Sequence, residues 1–131
     1  MACSACGEPT VVAAVPETIR QHAPDDADRI AICSTCLSIV STDTPGTEAP
    51  DFTSISGAFP ADAESAVGVA VLVHLLDSLV HNRESIQSLV DWLETGGTDV
   101  FLVIDRLATD PSLEPAVDLE RRRTQLEQFV E

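Results

Sequence analysis

Lysine is absent from this chain, and so is tyrosine. All seven basic residues are Arg, at positions 20, 29, 83, 106, 121, 122 and 123, and 22 acids oppose them for a net charge of −15. The excess is spread along the chain, with net −4 in residues 1–45, −2 in 46–59 and −9 in 60–131. A bare surface of that sign repels phosphate, which argues against nucleic acid as a partner. Glycine is scarce, six residues in all, and no GxGxxG or GxxxxGK pattern occurs, so no phosphate loop is present. The start, Met-Ala-Cys-Ser, has no basic or apolar leader, and the expectation is a cytoplasmic protein without a secretory signal. The uncharged stretch from Ser65 to Leu76 is well short of the ~20 residues that span a bilayer.

The same composition carries a positive message. Hydrophobic residues make up 44% and mean hydropathy is +0.14, which separates the chain from a disordered acidic tail. Dispersed carboxylates keep a surface hydrated, and salt screens the self-repulsion that would oppose folding. An acidic fold without Lys suits a high-salt cytoplasm, and we expect a haloarchaeal source.

Against this background the four cysteines stand out. They form two matched knuckles, Cys3-Ser4-Ala5-Cys6 and Cys33-Ser34-Thr35-Cys36, separated by the 26 residues from Gly7 to Ile32. Four soft sulfur ligands complete a tetrahedral zinc site. The expectation is one Zn2+ per chain, held by Cys3, Cys6, Cys33 and Cys36. Three rivals stand beside it. A disulfide framework needs an oxidising compartment. A redox motif uses a single C-x-x-C on a βαβ unit. An S4 iron site is the third, although residues 1–45 offer no Phe, Trp or Tyr to shield such an iron.

The pattern around the knuckles is that of an α+β chain. A zinc ribbon of short antiparallel strands is expected over 1–45, a linker over 46–59 and a small helical bundle over 60–131. In the ribbon, Thr10–Val15 has strand content, PETIRQHA (16–23) reads as a short helix ended by Pro24, and Asp25, Asp26 and Asp28 mark a turn. Arg29–Ile32 leads into the second knuckle and Leu37–Val40 leaves it. So small a module has little core, and its metal must supply much of its stability. Residues 41–59, rich in Ser, Thr, Pro and Gly, read as a loop of low order.

The bundle begins at Pro60, with Asp62 and Glu64 in the first turn of a helix. Residues 67–76 carry His74 as their one polar side chain, so the segment is expected to be buried on all sides. Asn82 is a candidate cap or break. Ile86, Leu89, Val90 and Leu93 then recur at helical spacing, with Gly96-Gly97 as the stop. Thr98 is a candidate cap for the next segment, where residues 100–107 fit either a helix or, over 100–104, a buried strand. Asp110-Pro111-Ser112 breaks it. A last helix is expected over 113–130, with Leu119, Leu126, Phe129 and Val130 near one face.

Chemistry beyond the cysteines is sparse. His22 is expected at the surface, because four thiolates leave no metal position for it. His74 and His81 are about 10 Å apart along a helix axis, too far for a shared ion; a buried His74 and an exposed His81 are expected. Asp77 and the Asp105-Arg106 pair fall into no catalytic constellation. Arg121-Arg122-Arg123 would point about 100° apart on a helix and make no single patch, with Asp118, Glu120 and Glu127 in range to pair.

The order of features resembles a haloarchaeal family of unknown function. The matching segments are C-x-x-C-G from Cys3 to Gly7, Val15-Pro16-Glu17, Ala23-Pro24-Asp25 and C-x-x-C-L from Cys33 to Leu37, followed by Leu-x-Ser-Leu at 76–79 and DRLATDPSLEPAVDLERRRTQLEQ at 105–128. The resemblance implies two zinc knuckles and a helical tail, with no activity or partner attached. The knuckles alone are similar to small haloarchaeal zinc-finger proteins, which usually carry Pro where Ser4 and Ser34 stand here. The expected function is that of a non-enzymatic adaptor or regulatory protein whose helical part binds a protein partner or itself. The alternatives are a transcription- or translation-associated ribbon touching nucleic acid, which needs an Arg-lined surface including Arg20 and Arg29, and an enzyme or redox protein working through the thiolates.

Overall fold

The structure is a computed structural model and describes Cys3, residues 7–43 and residues 52–129. Its architecture is α+β: a three-stranded antiparallel sheet followed by four helices. Strands β1 (Thr10–Ala14), β2 (Arg29–Cys33) and β3 (Ile39–Ser41) lie in the order β1-β2-β3. The register pairs Thr10 with Cys33, Val11 with Ile32, and Ile32 with Ile39. The central strand is apolar on both faces, with Ile30, Ala31, Ile32 and Cys33 all buried, as expected for a strand covered on both sides. A 3-10 helix at Glu17–His22 and a 3-10 turn at Pro24–Asp26 bridge β1 to β2. Pro16 before and Pro24 within this crossover leave too few residues for an α-helix. Asp25 and Asp26 make the turn with φ of 56° and 51°, a region that Asp tolerates better than most residues.

Helices α1 (Ala63–Leu76), α2 (Arg83–Thr95), α3 (Val100–Thr109) and α4 (Leu119–Phe129) make the second half. α1 is buried on nearly every side, as its composition requires. Its N-cap is Asp62, whose Oδ2 accepts from the Ser65 backbone N–H at 3.1 Å. α2 ends in a Schellman motif: Gly97, at φ 93°, donates to Glu94 O at 3.0 Å, and Thr98 donates to Leu93 O at 2.9 Å.

Residues 100–104 are helical rather than a strand. Asp99, not Thr98, caps α3, accepting from Leu102 N at 3.1 Å. Thr98 is already used by the Schellman motif of the preceding helix. Asn82 occupies the α2 cap position but its side chain turns back, donating to Leu75 O at 3.0 Å. The last helix starts at Leu119 and not near 113, because residues 111–118 are an irregular strap in which the Glu114 and Ala116 amides bond to the second knuckle. Leu119 and Leu126 are buried as expected, while the Phe129 side chain and Val130 lie outside the described residues.

Residues 52–59 depart from the reading of a low-order loop. Phe52, Ile55 and Phe59 are buried, with the two Phe ring centroids 5.3 Å apart. The Ser- and Gly-rich composition masked three apolar anchors at helix-like spacing. Ser56 fixes the segment by donating to Asp110 Oδ2 at 2.6 Å. Residues 44–51, which carry the rest of the expected linker, lie outside the described residues. The buried apolar residues of the sheet, of 52–59 and of the helices form one cluster, in which Ile30, Ile32 and Leu37 join Leu72, Leu89 and Ile104. The sheet meets the helices through contacts of β3 with α1 and of the Glu17–His22 turn with α1 and α2.

Candidate metal centre

The second knuckle is a tight turn between β2 and β3. Backbone N–H groups of Thr35 and Cys36 both point at Cys33 Sγ, at 3.4 Å each. Such donors stabilise a thiolate, the form that binds metal. The Cys33 backbone N–H donates to Ser38 O at 2.9 Å, which closes the turn. Leu37 follows the knuckle at φ 62°. A left-handed leucine is uncommon, and its complete burial in the core compensates for the backbone strain.

The described residues that flank the first knuckle share two of these features. The Cys3 backbone N–H donates to Glu8 O at 2.8 Å, the same five-residue span as Cys33 to Ser38. Gly7, at φ 79°, stands where Leu37 stands in the second knuckle. Gly7 N also donates to Cys3 O at 2.8 Å. The two turns are then stitched together: Ser34 donates from its backbone N–H (3.0 Å) and its hydroxyl (2.8 Å) to Pro9 O.

This arrangement brings the Sγ atoms of Cys3, Cys33 and Cys36 within 4.8 Å of one another. Cys3 Sγ lies 3.7 Å from Cys36 Sγ, far beyond the ~2.05 Å of a disulfide. Thiolates held about 2.3 Å from zinc at tetrahedral angles stand about 3.8 Å apart. The observed separation is therefore that of a tetrahedron's edge. Of the four expected ligands, three are brought together, and Cys6 lies outside the described residues. Cys33 is fully buried, while Cys36 retains 8% exposure.

Sequence reasoning missed three groups at this centre. Ser38 Oγ lies 3.2 Å from Cys36 Sγ; in a thiolate site its hydroxyl would be the donor. The strap 111–118 covers the second knuckle, with Glu114 N donating to Thr35 O at 2.9 Å and Ala116 N to Cys36 O at 3.0 Å. The third is a cavity of about 240 Å3 where Cys36, Ser38 and Ile39 face Val73 and His74 of α1, Asp77 just past its end and Val117 of the strap. Pro111 and Pro115 were the available signal for the strap, since both oppose a helix beginning at 113.

The histidines exchange their expected places. His22 is buried, 9% exposed, and its Nδ1 has no hydrogen-bond partner. Burial lowers its pKa below the ordinary value. The short crossover between β1 and β2 turns it inward, which composition alone did not reveal. His74 is exposed at the rim of the cavity rather than buried, because it is the polar residue on an otherwise covered helix. Partial removal from water lowers its pKa, and the Asp77 charge opposes that shift. His81 is exposed as expected and lies beyond the end of α1. The three adjacent Arg residues diverge. Arg122 donates to Asp77 O at 3.2 Å, and Arg123 pairs with Asp105 at 2.9 Å and Glu127 at 2.6 Å while lying over the Phe101 ring. Among the described residues no helix is long and apolar enough to cross a membrane.

Fold and site together define an α+β protein with a cluster of three cysteines, Cys3, Cys33 and Cys36, that could hold a metal ion. No curated protein and no solved structure matches the chain. Residues 2–130 match the family described as "Family of unknown function (DUF6276)", and the chain belongs to that family.

Proposed function

We propose that the chain is a zinc protein of a halophilic cell, non-enzymatic, in which a structural metal fixes the sheet and the helical half serves a protein partner or a second copy of itself. The observation that carries this reading is the convergence of the Cys3, Cys33 and Cys36 Sγ atoms within 4.8 Å of one another, with Cys3 and Cys36 3.7 Å apart, close to the edge of a zinc–thiolate tetrahedron. Cys6 is the fourth ligand in this proposal, because the two turns share one hydrogen-bond frame and Cys6 holds in the first the place of Cys36 in the second. With four thiolates the ion has no open position, so its contribution is to hold the fold rather than to activate water or substrate. The acidic surface favours a protein partner over nucleic acid, since like charge repels phosphate.

The test combines metal analysis with sizing. Protein purified without added metal should contain close to one equivalent of zinc. Iron as the dominant metal, or a disulfide within either knuckle under reducing conditions, would replace the zinc reading. Light scattering at molar salt should give a mass above that of one chain, or a complex with a partner. A clean monomer that binds RNA below micromolar concentration at that salt would overturn the adaptor role.

A further inference from the structure

The described thiols of the cluster are not equivalent. Cys33 has no exposure, and its Sγ is held by the backbone N–H groups of Thr35 and Cys36, at 3.4 Å each. Cys3 is the one that stands partly in solvent. Cys36 keeps 8% exposure and is among the residues lining the cavity beside α1. Its Sγ is 3.7 Å from that of Cys3 and 3.2 Å from Ser38 Oγ. The backbone behind this pair is tied together, because Ser34 bonds to Pro9 O through both its N–H and its hydroxyl. A Cys3–Cys36 bond therefore asks for a short approach of two side chains, from 3.7 Å to the ~2.05 Å of a disulfide. A Cys33–Cys36 bond would instead pull the Cys33 sulfur away from its two donors.

We infer that Cys3 and Cys36 form a reversible oxidation site, at which a hydroperoxide joins the two thiolates in a disulfide across the knuckles and the chain gives up its metal. The inference rests on the metal reading above and adds a chemistry to it. The more exposed thiolate, Cys3, attacks a peroxide oxygen and the O–O bond breaks. Cys3 becomes a sulfenic acid, and hydroxide leaves. The Cys36 thiolate then attacks the Cys3 sulfur and displaces the sulfenic hydroxyl as a second hydroxide. The two sulfurs have given two electrons to the peroxide, and two protons from solvent turn both hydroxides into water. Two donors of the cluster are spent, and the thiolates that remain make no tetrahedron. A dithiol reverses the step: it exchanges with the disulfide, is itself oxidised, and returns both thiolates.

The full chain is first assayed for zinc as purified. That measurement tests the metal reading by itself, and the disulfide map that follows tests the cysteine pair whatever the metal content. Hydrogen peroxide is then added with a chromogenic chelator that reports free zinc. Close to one equivalent should be released, and the intact mass should fall by two hydrogens. Remaining thiols are alkylated under denaturing conditions, and the protein is digested with trypsin without reduction. The chain has no Lys, so cleavage falls at Arg alone, and Cys3 and Cys36 lie in the separate peptides 1–20 and 30–83. These peptides should be joined, with alkyl groups on Cys6 and Cys33. Dithiothreitol with added zinc should restore the starting mass and metal content. A disulfide that engages Cys6 or Cys33 in place of this pair would overturn the proposal, as would four cysteines still reduced after zinc is lost, or a joined pair that dithiothreitol does not separate.

Discussion

His22 shows how a single side chain can be misplaced by its sequence context. It follows Gln21 in a polar, helix-like stretch, yet the short crossover turns it into the core with Nδ1 unpartnered. A buried imidazole resists protonation, so its folded pKa lies below the ordinary value near 6.5. The unfolded chain then binds a proton that the folded chain refuses. Stability contributed by His22 is complete above its unfolded pKa and is lost as pH falls below it. His74 is shifted in the same direction and adds to the effect. Chemical denaturation at pH 7.5 and pH 5.5 should show lower stability in acid for the wild type, and His22→Leu should reduce that difference. Metal loss in acid is common to both proteins and cancels in the comparison. An equal pH dependence in the two would show that His22 is not held neutral in the fold.

At the same scale the cysteines were the most legible residues in the chain, because knuckle spacing is set by local geometry. Leu37 was not legible as a left-handed residue. Gly7 signals such a turn by its type, while Leu37 adopts it because the core takes its side chain.

Among the elements, periodicity placed α1 and α2 well and α3 within its two alternatives. Thr98 failed as a cap because two neighbouring motifs compete for it, and the Schellman motif ending α2 takes it. For the strap 111–118, Pro111 and Pro115 signalled the absence of helix, but where it docks was not legible. Its hydrogen bonds go to the second knuckle, some 80 residues away in sequence, and no local pattern encodes them. The strap also makes a prediction. Glu114 N and Ala116 N bond to carbonyls of Thr35 and Cys36, inside the turn that the metal would hold. Cys36→Ser should therefore release these amides. Hydrogen exchange at 114 and 116 should accelerate by at least about tenfold, while amides within α2, remote from the knuckle, should change much less. Unchanged protection of Glu114 and Ala116 would mean that the strap stands without the metal turn.

For the whole molecule, the fold class was readable from the order of strand-like and helix-like segments, but the extent of the core was not. Ile30, Ile32 and Leu37 of the knuckle region share one apolar cluster with Leu72, Leu89 and Ile104, and Phe52, Ile55 and Phe59 extend it through a segment whose composition is that of a loop. Long-range packing of this kind leaves little trace in a single sequence. The account joins the two knuckle regions into one device: the matching Cys3–Glu8 and Cys33–Ser38 backbone bonds, the bonds from Ser34 to Pro9 O, and Cys3 and Cys36 thiols spaced as one edge of a tetrahedron. Its central claim is a closed four-thiolate site in which Cys6 completes the set. The absorption spectrum of the cobalt(II)-loaded protein tests this most directly, with wild type and Cys6→Ser compared. The account predicts one cobalt per chain in the wild type, displaced by zinc, with the intense visible bands of tetrahedral cobalt and thiolate charge transfer, and a weakened, shifted spectrum in Cys6→Ser. Weak octahedral bands in the wild type, or identical spectra in the two proteins, would contradict it.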